Sequence, residues 1–470
     1  MIPVHTSAQV RAMDAAVIAG AGVPGRVLME IAGRGVAEII QERFPRGPVA
    51  VLCGPGNNGG DGYVLARWLS HWGRDVRIWA TPTRTEDAQT NRSLTEQMSL
   101  PFMDLDRALD GATVAVDALL GTGQTKAVYG EVAQAVAAIA SAPHRVSVDV
   151  PTGLCTDTGQ PLGPVVEADV TVTLGKWKRG LLCAPGCRLS GDVYCVDIGL
   201  DLATMTDPSH GQADAWMLER ADIDAWRPFA RADAAKWDRG HVAIRAGGGA
   251  SVLAAHGAFR GGAGLVTLLA PKDDWEHLHG LWPEVILAEP DELNSKRHDV
   301  VVLGPGLGTE HAAEVLQLWN EFPGAVVADA DALTVMAAHP QEVHTPSDCI
   351  RIITPHVAEA ARLLGGSRAD IEADRFTAIR RLSGFGVTVL KGPHTLIGPD
   401  RVWVNPTGSV NLATAGTGDV LAGMIAGCVA AGAGAAEAAA VSVWDHGIAG
   451  QRMPAAGTAS DLIAALAEVR

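Results

Sequence analysis

Clusters of basic residues, paired cysteines and long apolar runs are all missing from this 470-residue sequence. Lys and Arg total 37 against 53 Asp and Glu, which gives a formal net charge of −16. This balance argues against nucleic acid or an anionic membrane surface as the main partner. It is compatible with a phosphorylated ligand, because helix N-termini and glycine-rich loops bind phosphate without net positive charge.

The seven cysteines form no Cys-x-x-Cys pair. Cys183 and Cys187 are four residues apart, but no second pair with histidines completes a zinc site. Free thiols in a reducing cytoplasm are therefore expected. The first residues contain no basic segment followed by an apolar core, and no stretch is long enough to span a bilayer. We expect a cytoplasmic, homo-oligomeric enzyme with small-molecule substrates and no nucleic-acid or membrane partner.

The length suggests more than one hydrophobic core, and two series of short apolar segments agree with this. Each segment is typical of a buried strand, and the intervals can hold crossover helices, as in a doubly wound parallel sheet. The first series is 48–53, 76–80, 114–120, 146–150 and 170–174; the second is 241–245, 264–269, 300–303, 325–329, 351–354, 387–391 and 401–404. Residues 202–240 are polar and turn-rich. We therefore predict two α/β domains, 1–215 and 216–470.

The stretch Asn411-Leu-Ala-Thr-Ala-Gly-Thr-Gly-Asp-Val-Leu-Ala-Gly423 is a glycine-rich turn that leads into a small apolar helix. Such a turn directs unbonded N–H groups and the positive end of the helix dipole at an anion. Asp419 at this point suits phosphoryl transfer to a hydroxyl, with the carboxylate accepting the proton. The alternative is an ordinary N-cap aspartate, which is the commoner use of such a residue.

In the first half, three loops follow predicted strands. The loop Gly54-Pro-Gly-Asn-Asn-Gly-Gly-Asp-Gly62 has the context of a phosphate or dinucleotide loop, although it is not Gly-x-Gly-x-x-Gly. Asn58, Asp117 and Thr152 stand at strand ends, where their oxygens suit a hard cation. For any one of these residues, a turn-forming role is the simpler interpretation.

In the second half, four further loops accompany Asp419. They include Gly304-Pro-Gly-Leu-Gly308, a helix start with His356, and Lys391-Gly-Pro-His-Thr395, which supplies a cation and a hydroxyl. Singly, these are a turn, a capping motif and a surface lysine. Together, all at strand ends with Thr417-Gly-Thr-Gly-Asp419, they predict a site at the carboxyl edge of the sheet.

The motifs of the first half resemble those of the NAD(P)H-hydrate epimerase domain: Leu28–Gly33, Gly54–Gly62, Val116–Gly123 and Val148–Gly153. The resemblance implies a Rossmann-like fold that interconverts the R and S forms of the hydrated cofactor NAD(P)HX. It implies potassium on Asn58, Asp117 and Thr152, and Asp149 as the acid or base. The ligand would contact Asn57, Asn58, Gly59, Gly60, Asp61, Gly121, Thr122, Gly123, Gln124, Thr125, Lys126, Ala127 and Asp149.

The second half, over roughly residues 220–468, resembles the ribokinase-like NAD(P)H-hydrate dehydratase domain. The resemblance implies phosphorylation of (S)-NAD(P)HX by ADP, with Mg²⁺, followed by loss of phosphate to give NAD(P)H. Asp419 would be the base, with the backbone of Thr417 and Gly418 at the transferring group. The nucleotide would contact Lys391, Gly392, Pro393, His394, Thr395 and Gly418, and the hydrated cofactor Ala263, Gly306 (or Gly308) and His356.

One departure from the dehydratase pattern is a shortened glycine-rich loop, Ala246-Gly-Gly-Gly-Ala-Ser251, where the family carries a longer one. The shortened loop is expected to cover less of the bound ligand. It leaves the proposed role of Asp419 as the base unchanged. The leading hypothesis is a bifunctional NAD(P)H-hydrate repair enzyme. One alternative is a small-molecule kinase for a vitamin precursor or a sugar. Another is a first half that binds nucleotide without catalysis and regulates the second.

Overall fold

The apolar segments form parallel strands in both halves of the chain. A computed structural model describes residues 1–229, 231–398 and 400–469. The chain divides into two compact units, one of Ile2–Ala215 and one of Met1 with Trp216–Arg470. No helix in these described ranges is both long and apolar enough to cross a membrane.

The first unit is a Rossmann-like sheet with helices between its strands. Its main sheet has the order β3-β2-β4-β5-β6-β8, all parallel, and β1 pairs with β7. The strands are β1 (Ile2–His5), β2 (Val49–Cys53), β3 (Val76–Ala80), β4 (Val114–Ala118), β5 (His144–Val148), β6 (Val170–Leu174), β7 (Trp177–Lys178) and β8 (Asp192–Val196). The helices are α1 (Ser7–Ala19), α2 (Gly25–Arg43), α3 (Asn57–His71), α4 (Glu86–Gln97), α5 (Leu105–Leu109), α6 (Gly130–Ala138), α7 (Gly186–Leu189) and α8 (Ala203–Thr206).

The second unit carries a longer sheet of the order β12-β11-β10-β13-β14-β15-β16-β17-β18-β9, parallel except at β17. The strands are β9 (Ala215–Met217), β10 (His241–Arg245), β11 (Leu265–Leu269), β12 (Ile286–Ala288), β13 (Val300–Leu303), β14 (Ala325–Ala328), β15 (Arg351–Ile353), β16 (Val387–Leu390), β17 (Leu396–Gly398) and β18 (Trp403–Val404). The helices are α9 (Arg220–Trp226), α10 (Gly248–Gly261), α11 (Ala312–Glu321), α12 (Asp331–Ala338), α13 (Val357–Leu363), α14 (Arg368–Ala373), α15 (Arg375–Arg381), α16 (Thr417–Ala430), α17 (Ala435–Arg452) and α18 (Ala459–Leu466).

These sheets confirm the predicted α/β class. The central strands β2, β4 and β10 are buried at every position, as continuous apolar runs covered on both faces should be. In the first unit, the chain leaves β2 toward β3 on one side, while β4 lies on the other. This reversal of direction opens a crevice at the carboxyl ends of β2 and β4.

Candidate active sites

A cavity of about 900 Å³ occupies the crevice of the first unit. It is lined by the turns that follow β2, β4 and β5, with side chains from α1 and α2. Most ligand-contacting residues expected from the sequence line it: Asn57, Asn58, Asp61, Gly121, Thr122, Gly123, Gln124, Thr125, Lys126, Ala127 and Asp149. Gly59 and Gly60 instead allow close packing, because a Cβ would meet Gly54 at the first and Met29 at the second.

Asp149 is held in this cavity by donors on both carboxylate oxygens. Its backbone has a φ of 71°, unusual for a residue with a side chain. Oδ2 accepts hydrogen bonds from the Thr122 amide at 2.9 Å and from the Thr122 hydroxyl, and Oδ1 lies 2.6 Å from Lys178 Nζ. Burial alone would raise the pKa of Asp149, but the Lys178 ammonium and the Thr122 donors hold it below its ordinary value. The site therefore keeps Asp149 ionised, as a base requires.

Lys178 is a member of this site that the sequence analysis missed. Its side chain is fully buried, and Nζ also donates to Thr173 Oγ1 at 2.9 Å and to the Leu174 carbonyl at 2.7 Å. It lines the same cavity as Asp149. The available signal was its position just after the predicted strand 170–174, at the sheet edge that carries the other site residues.

Asp117 and Thr152 form a buried pair behind the lining of the cavity. The Thr152 hydroxyl and amide donate to the two Asp117 oxygens at 2.6 and 2.8 Å, and Ser147 donates at 2.9 Å. Burial raises the pKa of Asp117 against these hydrogen bonds. No basic side chain in the described ranges forms a salt bridge with this carboxylate. A buried carboxylate without a cationic partner is a position that a bound cation would stabilise.

Asn58 reaches toward the same region. A methyl group built on Gly121 would lie 3.1 Å from Asn58 Oδ1, and the preceding amide, of Leu120, donates to Thr152 Oγ1 at 3.0 Å. The buried Asn58 Nδ2 has no hydrogen-bond partner among the described residues. Amide, carboxylate and hydroxyl oxygens, as on Asn58, Asp117 and Thr152, are the ligand types that hard cations prefer.

In the second unit, Asp419 lies in the first turn of α16. The helix is preceded by Gly416 in a left-handed conformation with a φ of 88°. The Thr417 hydroxyl donates to the carbonyls of Leu412 and Thr414, and His446 Nε2 lies 2.9 Å from the Thr417 carbonyl. These contacts fix the turn before α16 and leave its first N–H groups available to an anion.

The pKa of Asp419 is raised to about 6 by burial and by the charge of Asp329, with Lys391 acting in the opposite direction. A value near neutrality is suitable for a general base. Asp419 makes no side-chain hydrogen bond to its own helix start. The N-cap interpretation is therefore wrong, since the N-cap position belongs to Gly416.

Lys391 is held above the start of α16 by acidic residues that the sequence analysis did not single out. Its Nζ lies 2.8 Å from Asp329 Oδ1 and 4.0 Å from Glu359 Oε2. A methyl group built on Gly418 would lie 3.4 Å from the same Nζ. Burial would lower the pKa of Lys391, but Asp329 and Glu359 raise it, so the lysine stays charged beside the helix start.

The loop Lys391–Thr395 is shaped by a buried arginine. Arg375 donates to the Pro393 carbonyl at 2.6 Å and to the Leu390 carbonyl at 3.1 Å. The arginine is 3% exposed, and Gly392, with a φ of 147°, lies against its guanidinium. Burial and the Arg375 charge lower the pKa of His394 to about 4, so this ring is neutral at physiological pH. Arg375 thus fixes the conformation of the loop Lys391–Thr395 through its hydrogen bonds to backbone carbonyls.

The turn Gly304–Gly308 packs on the shortened glycine-rich segment, in which α10 already begins at Gly248. Gly306 has a φ of 59°, and a Cβ there would lie 2.9 Å from the Gly247 carbonyl oxygen and 3.3 Å from Ala250 Cβ. The Gly308 amide donates to Asp331 Oδ2 at 2.9 Å. The neighbouring turn therefore covers the short glycine-rich segment. The alanine that lies beside Gly306 is Ala250.

Two residues expected at this site behave differently. His356 is the N-cap of α13, where its Nδ1 accepts from the Ala358 and Glu359 amides at 3.0 and 3.2 Å. Its Nε2 lies 3.3 Å from Glu359 Oε1. Ala263 does not join the others, because it precedes β11 at the amino edge of the sheet and is buried in the core.

Comparison with known proteins assigns the family. A family model described as NAD(P)H-hydrate dehydratase matches residues 244–469, and one described as YjeF-related protein N-terminus matches residues 25–180. A bifunctional NAD(P)H-hydrate repair enzyme of Thermanaerovibrio acidaminovorans is 36% identical over 94% of this chain and 93% of its own length. The chain belongs to the family of bifunctional NAD(P)H-hydrate repair enzymes. A family member from Escherichia coli is 34% identical, over 88% of this chain and 86% of its own.

Among solved structures, an ADP/ATP-dependent NAD(P)H-hydrate dehydratase from Bacillus subtilis, co-crystallised with ATP and Mg²⁺, is 26% identical. The match covers 54% of this chain and 97% of that one, with a TM-score of 0.49. A ribokinase-like protein from Enterococcus faecalis is 25% identical over 54% of this chain and 94% of its own, with a TM-score of 0.48.

Proposed function

We propose that residues 1–215 epimerise (R)- and (S)-NAD(P)HX, and that residues 216–470 dehydrate the S form with ADP, releasing NAD(P)H, AMP and phosphate. The observation that carries this proposal is the pairing of an ionised Asp149 with Lys178 in one cavity and a base-like Asp419 beside Lys391 in the other unit. The order is chemically sensible, because the first reaction supplies the only form that the second consumes.

In the first reaction, a bond at the carbinolamine carbon must break and re-form on the opposite face. Asp149, kept ionised by Lys178, accepts a proton from the substrate hydroxyl. The 900 Å³ cavity is of the size that ligand sites commonly have. The turn containing Gly121–Ala127 supplies backbone groups that can contact the rest of the dinucleotide.

In the second reaction, Asp419 accepts the proton of the substrate hydroxyl as the β-phosphoryl group of ADP is transferred to that oxygen. The Thr417 and Gly418 amides and the Lys391 ammonium offset the charge on the group in transfer. Phosphate then leaves as a proton is lost from the neighbouring carbon, which restores the nicotinamide ring double bond. The sum is one ADP converted to AMP and phosphate for each cofactor repaired.

Potassium would be held in the first unit by Asn58, Asp117 and Thr152, where it would neutralise the buried Asp117 carboxylate. Exchanging K⁺ for choline should then slow epimerisation by the wild-type protein. Asp117→Asn should be slow at every K⁺ concentration. An unchanged epimerisation rate in choline would rule out the potassium site.

Mg²⁺ would reach the second unit on the nucleotide phosphates. The described residues contain no group of three His, Cys, Asp or Glu side chains arranged to hold a metal ion. Asp329 is paired with Lys391, and Asp331 accepts from Gly308. This donor set suits Mg²⁺ bound largely by phosphate and water, as is usual for this ion.

The deciding experiment incubates the protein with mixed NADHX epimers and either ADP or ATP, and follows NADH, AMP and inorganic phosphate. We expect NADH with ADP, in step with phosphate. A stable phosphorylated product without NADH would instead indicate a small-molecule kinase. Repair of the R form by Asp149→Asn at the wild-type rate would make the first unit a non-catalytic regulator.

A further inference from the structure

Besides Asp149, the cavity of the first unit is lined by four carboxyl groups, Asp14, Asp61, Asp87 and Glu131, of which Asp61 is the buried one. Asp61, near the start of α3, is 7% exposed and lines the cavity together with Asp149 and Lys178. No donor in the described residues hydrogen-bonds to its carboxyl group, and no basic side chain forms a salt bridge with it. An unpartnered carboxyl group is costly to bury, so this one is not explained by the fold.

Asp61 and Asp149 are electrostatically different. Burial raises the pKa of Asp61 well above its ordinary value, and the charges of Asp149 and Asp14 raise it further, while Lys178 lowers it. Lys178 and Thr122 hold the pKa of Asp149 low. The pKa values of Asp61 and Asp149 are therefore shifted in opposite directions within one cavity. Such a divergence separates the acid from the base in enzymes that use two carboxyl groups.

We propose that Asp61 is the proton donor of the epimerisation and works with Asp149 as the base. The inference rests on the function proposed for the first unit. The place of Asp61 in the ligand-binding loop would make it only a contact residue. The inference gives Asp61 a step in the reaction.

The step balances without any further reactant. Asp149 takes the proton of the substrate hydroxyl, the oxygen forms a carbonyl, and the bond from that carbon to the ring nitrogen breaks. The nitrogen keeps the electron pair and takes the Asp61 proton. Rotation turns the carbonyl over, the nitrogen attacks its other face, the nitrogen's proton returns to Asp61, and the Asp149 proton goes to the oxygen. The product is the opposite epimer, and both side chains regain their starting states.

The test follows conversion of pure (S)-NADHX to the R form without ADP, by chromatography, after subtraction of the spontaneous rate. Asp61→Asn should lower kcat about 100-fold or more, the size of general acid catalysis, with little change in KM. The wild-type rate should fall as pH rises through the pKa of Asp61, and this fall should be absent from Asp61→Asn. Asp61→Glu should recover part of kcat. Glu38→Gln, on the exposed face of α2, is the control.

Other results would overturn the inference. A higher KM with unchanged kcat would limit Asp61 to binding, and a high-pH fall that persists in Asp61→Asn would assign the acid elsewhere. Should Asp61→Asn unfold the first unit, Asp61→Ser is measured by the same criteria. Wild-type protein that shows no epimerisation at any pH would refute the function proposed for the first unit, an outcome separate from the failure of Asp61 alone.

Discussion

At the scale of single residues, the protonation of Asp419 should control the second reaction. Burial and Asp329 raise its pKa to about 6, and a base acts only when deprotonated. We therefore expect kcat/KM for dehydration to fall as pH drops below about 6, and to be level above it. Asp419→Asn should abolish dehydration and leave epimerisation intact. NADH formation from (S)-NADHX between pH 5 and 8 measures the dehydration, and conversion of (S)-NADHX to the R form without ADP measures the epimerisation.

Replacing Asp329 should move that pH profile. Asp329→Asn removes a charge that raises the pKa of Asp419, so the acid limb should shift to lower pH, with a lower kcat because Lys391 loses its partner. Asp224→Asn, which disturbs only an exposed pair with Arg220, should leave the profile unchanged. If the fall in kcat/KM at low pH occurs at the same pH in Asp329→Asn, a group other than Asp419 is responsible for it.

Lys178 should support both the stability and the chemistry of the first unit. Lys178→Met leaves the buried Asp149 carboxylate without its cation, which typically costs about 3–5 kcal/mol. We expect a lower urea midpoint for the first unit and loss of epimerisation. Lys176→Met, which breaks a pair with the largely exposed Asp201, should cost about 1 kcal/mol or less. Equal losses in the two variants would contradict this role of Lys178.

The same pair has a defined pH dependence. The pKa of Asp149 is depressed in the folded protein relative to its ordinary value of 3.8. Its contribution to the free energy of unfolding is therefore complete above that ordinary value, and is lost as pH falls through the depressed one. In Lys178→Met the pKa of Asp149 should rise, so the variant should lose stability as pH increases instead.

At the scale of elements, the start of α16 is positioned by its packing on α10. The helices meet through glycines on both: a Cβ on Gly257 would overlap the Val420 carbonyl oxygen, and one on Gly423 would overlap that of Ala254. Gly261 and Gly427 make equivalent approaches. Because the helices run side by side at backbone contact, any side chain added between them must shift α16, and Asp419 with it.

Gly423→Ala should therefore cost about 1–3 kcal/mol in the free energy of unfolding, as overpacking does. Dehydration should slow more than epimerisation, because only the first depends on α16. Urea unfolding and the two activity assays measure these effects. Gly384→Ala is the matched control, since a Cβ there meets no atom within 4 Å. An equal effect of both substitutions on dehydration would argue against positioning by helix packing.

At the scale of the whole molecule, the proposed reactions form a sequence whose intermediate is a free small molecule. An equimolar mixture of the Asp149→Asn and Asp419→Asn proteins should convert (R)-NADHX to NADH with ADP, because each supplies the activity that the other lacks. The rate should exceed that of either variant alone, with a lag while the S form accumulates. A mixture no faster than Asp149→Asn alone would show that the S form does not pass through solution.

The sequence by itself determined the class of the fold and the main chemistry. Buried parallel strands are continuous apolar runs, so β10 was predicted to the residue, and β2, β4 and β16 to within one or two. Glycine-rich loops and strand-end carboxylates are local signals, so the residue pattern singles out Asp419, whereas the role of Asp149 followed from the resemblance to the epimerase family. The strands β8, β12 and β17 were missed, whereas β15, which is as short as β12 and β17, was predicted.

Only the tertiary structure decided which charges meet. The Lys178 ammonium reaches Asp149 across 29 residues, and Lys391 reaches Asp329 across 62, neither through a recognisable motif. Folding also buried Asp61 with no partner in the described part of the chain. It placed Ala263 at the amino edge of the sheet, whereas Asp419 lies at the carboxyl edge. A pKa depends on burial and on neighbours distant in sequence, so the acid and base states of these groups exist only once the sheet has brought its loops together.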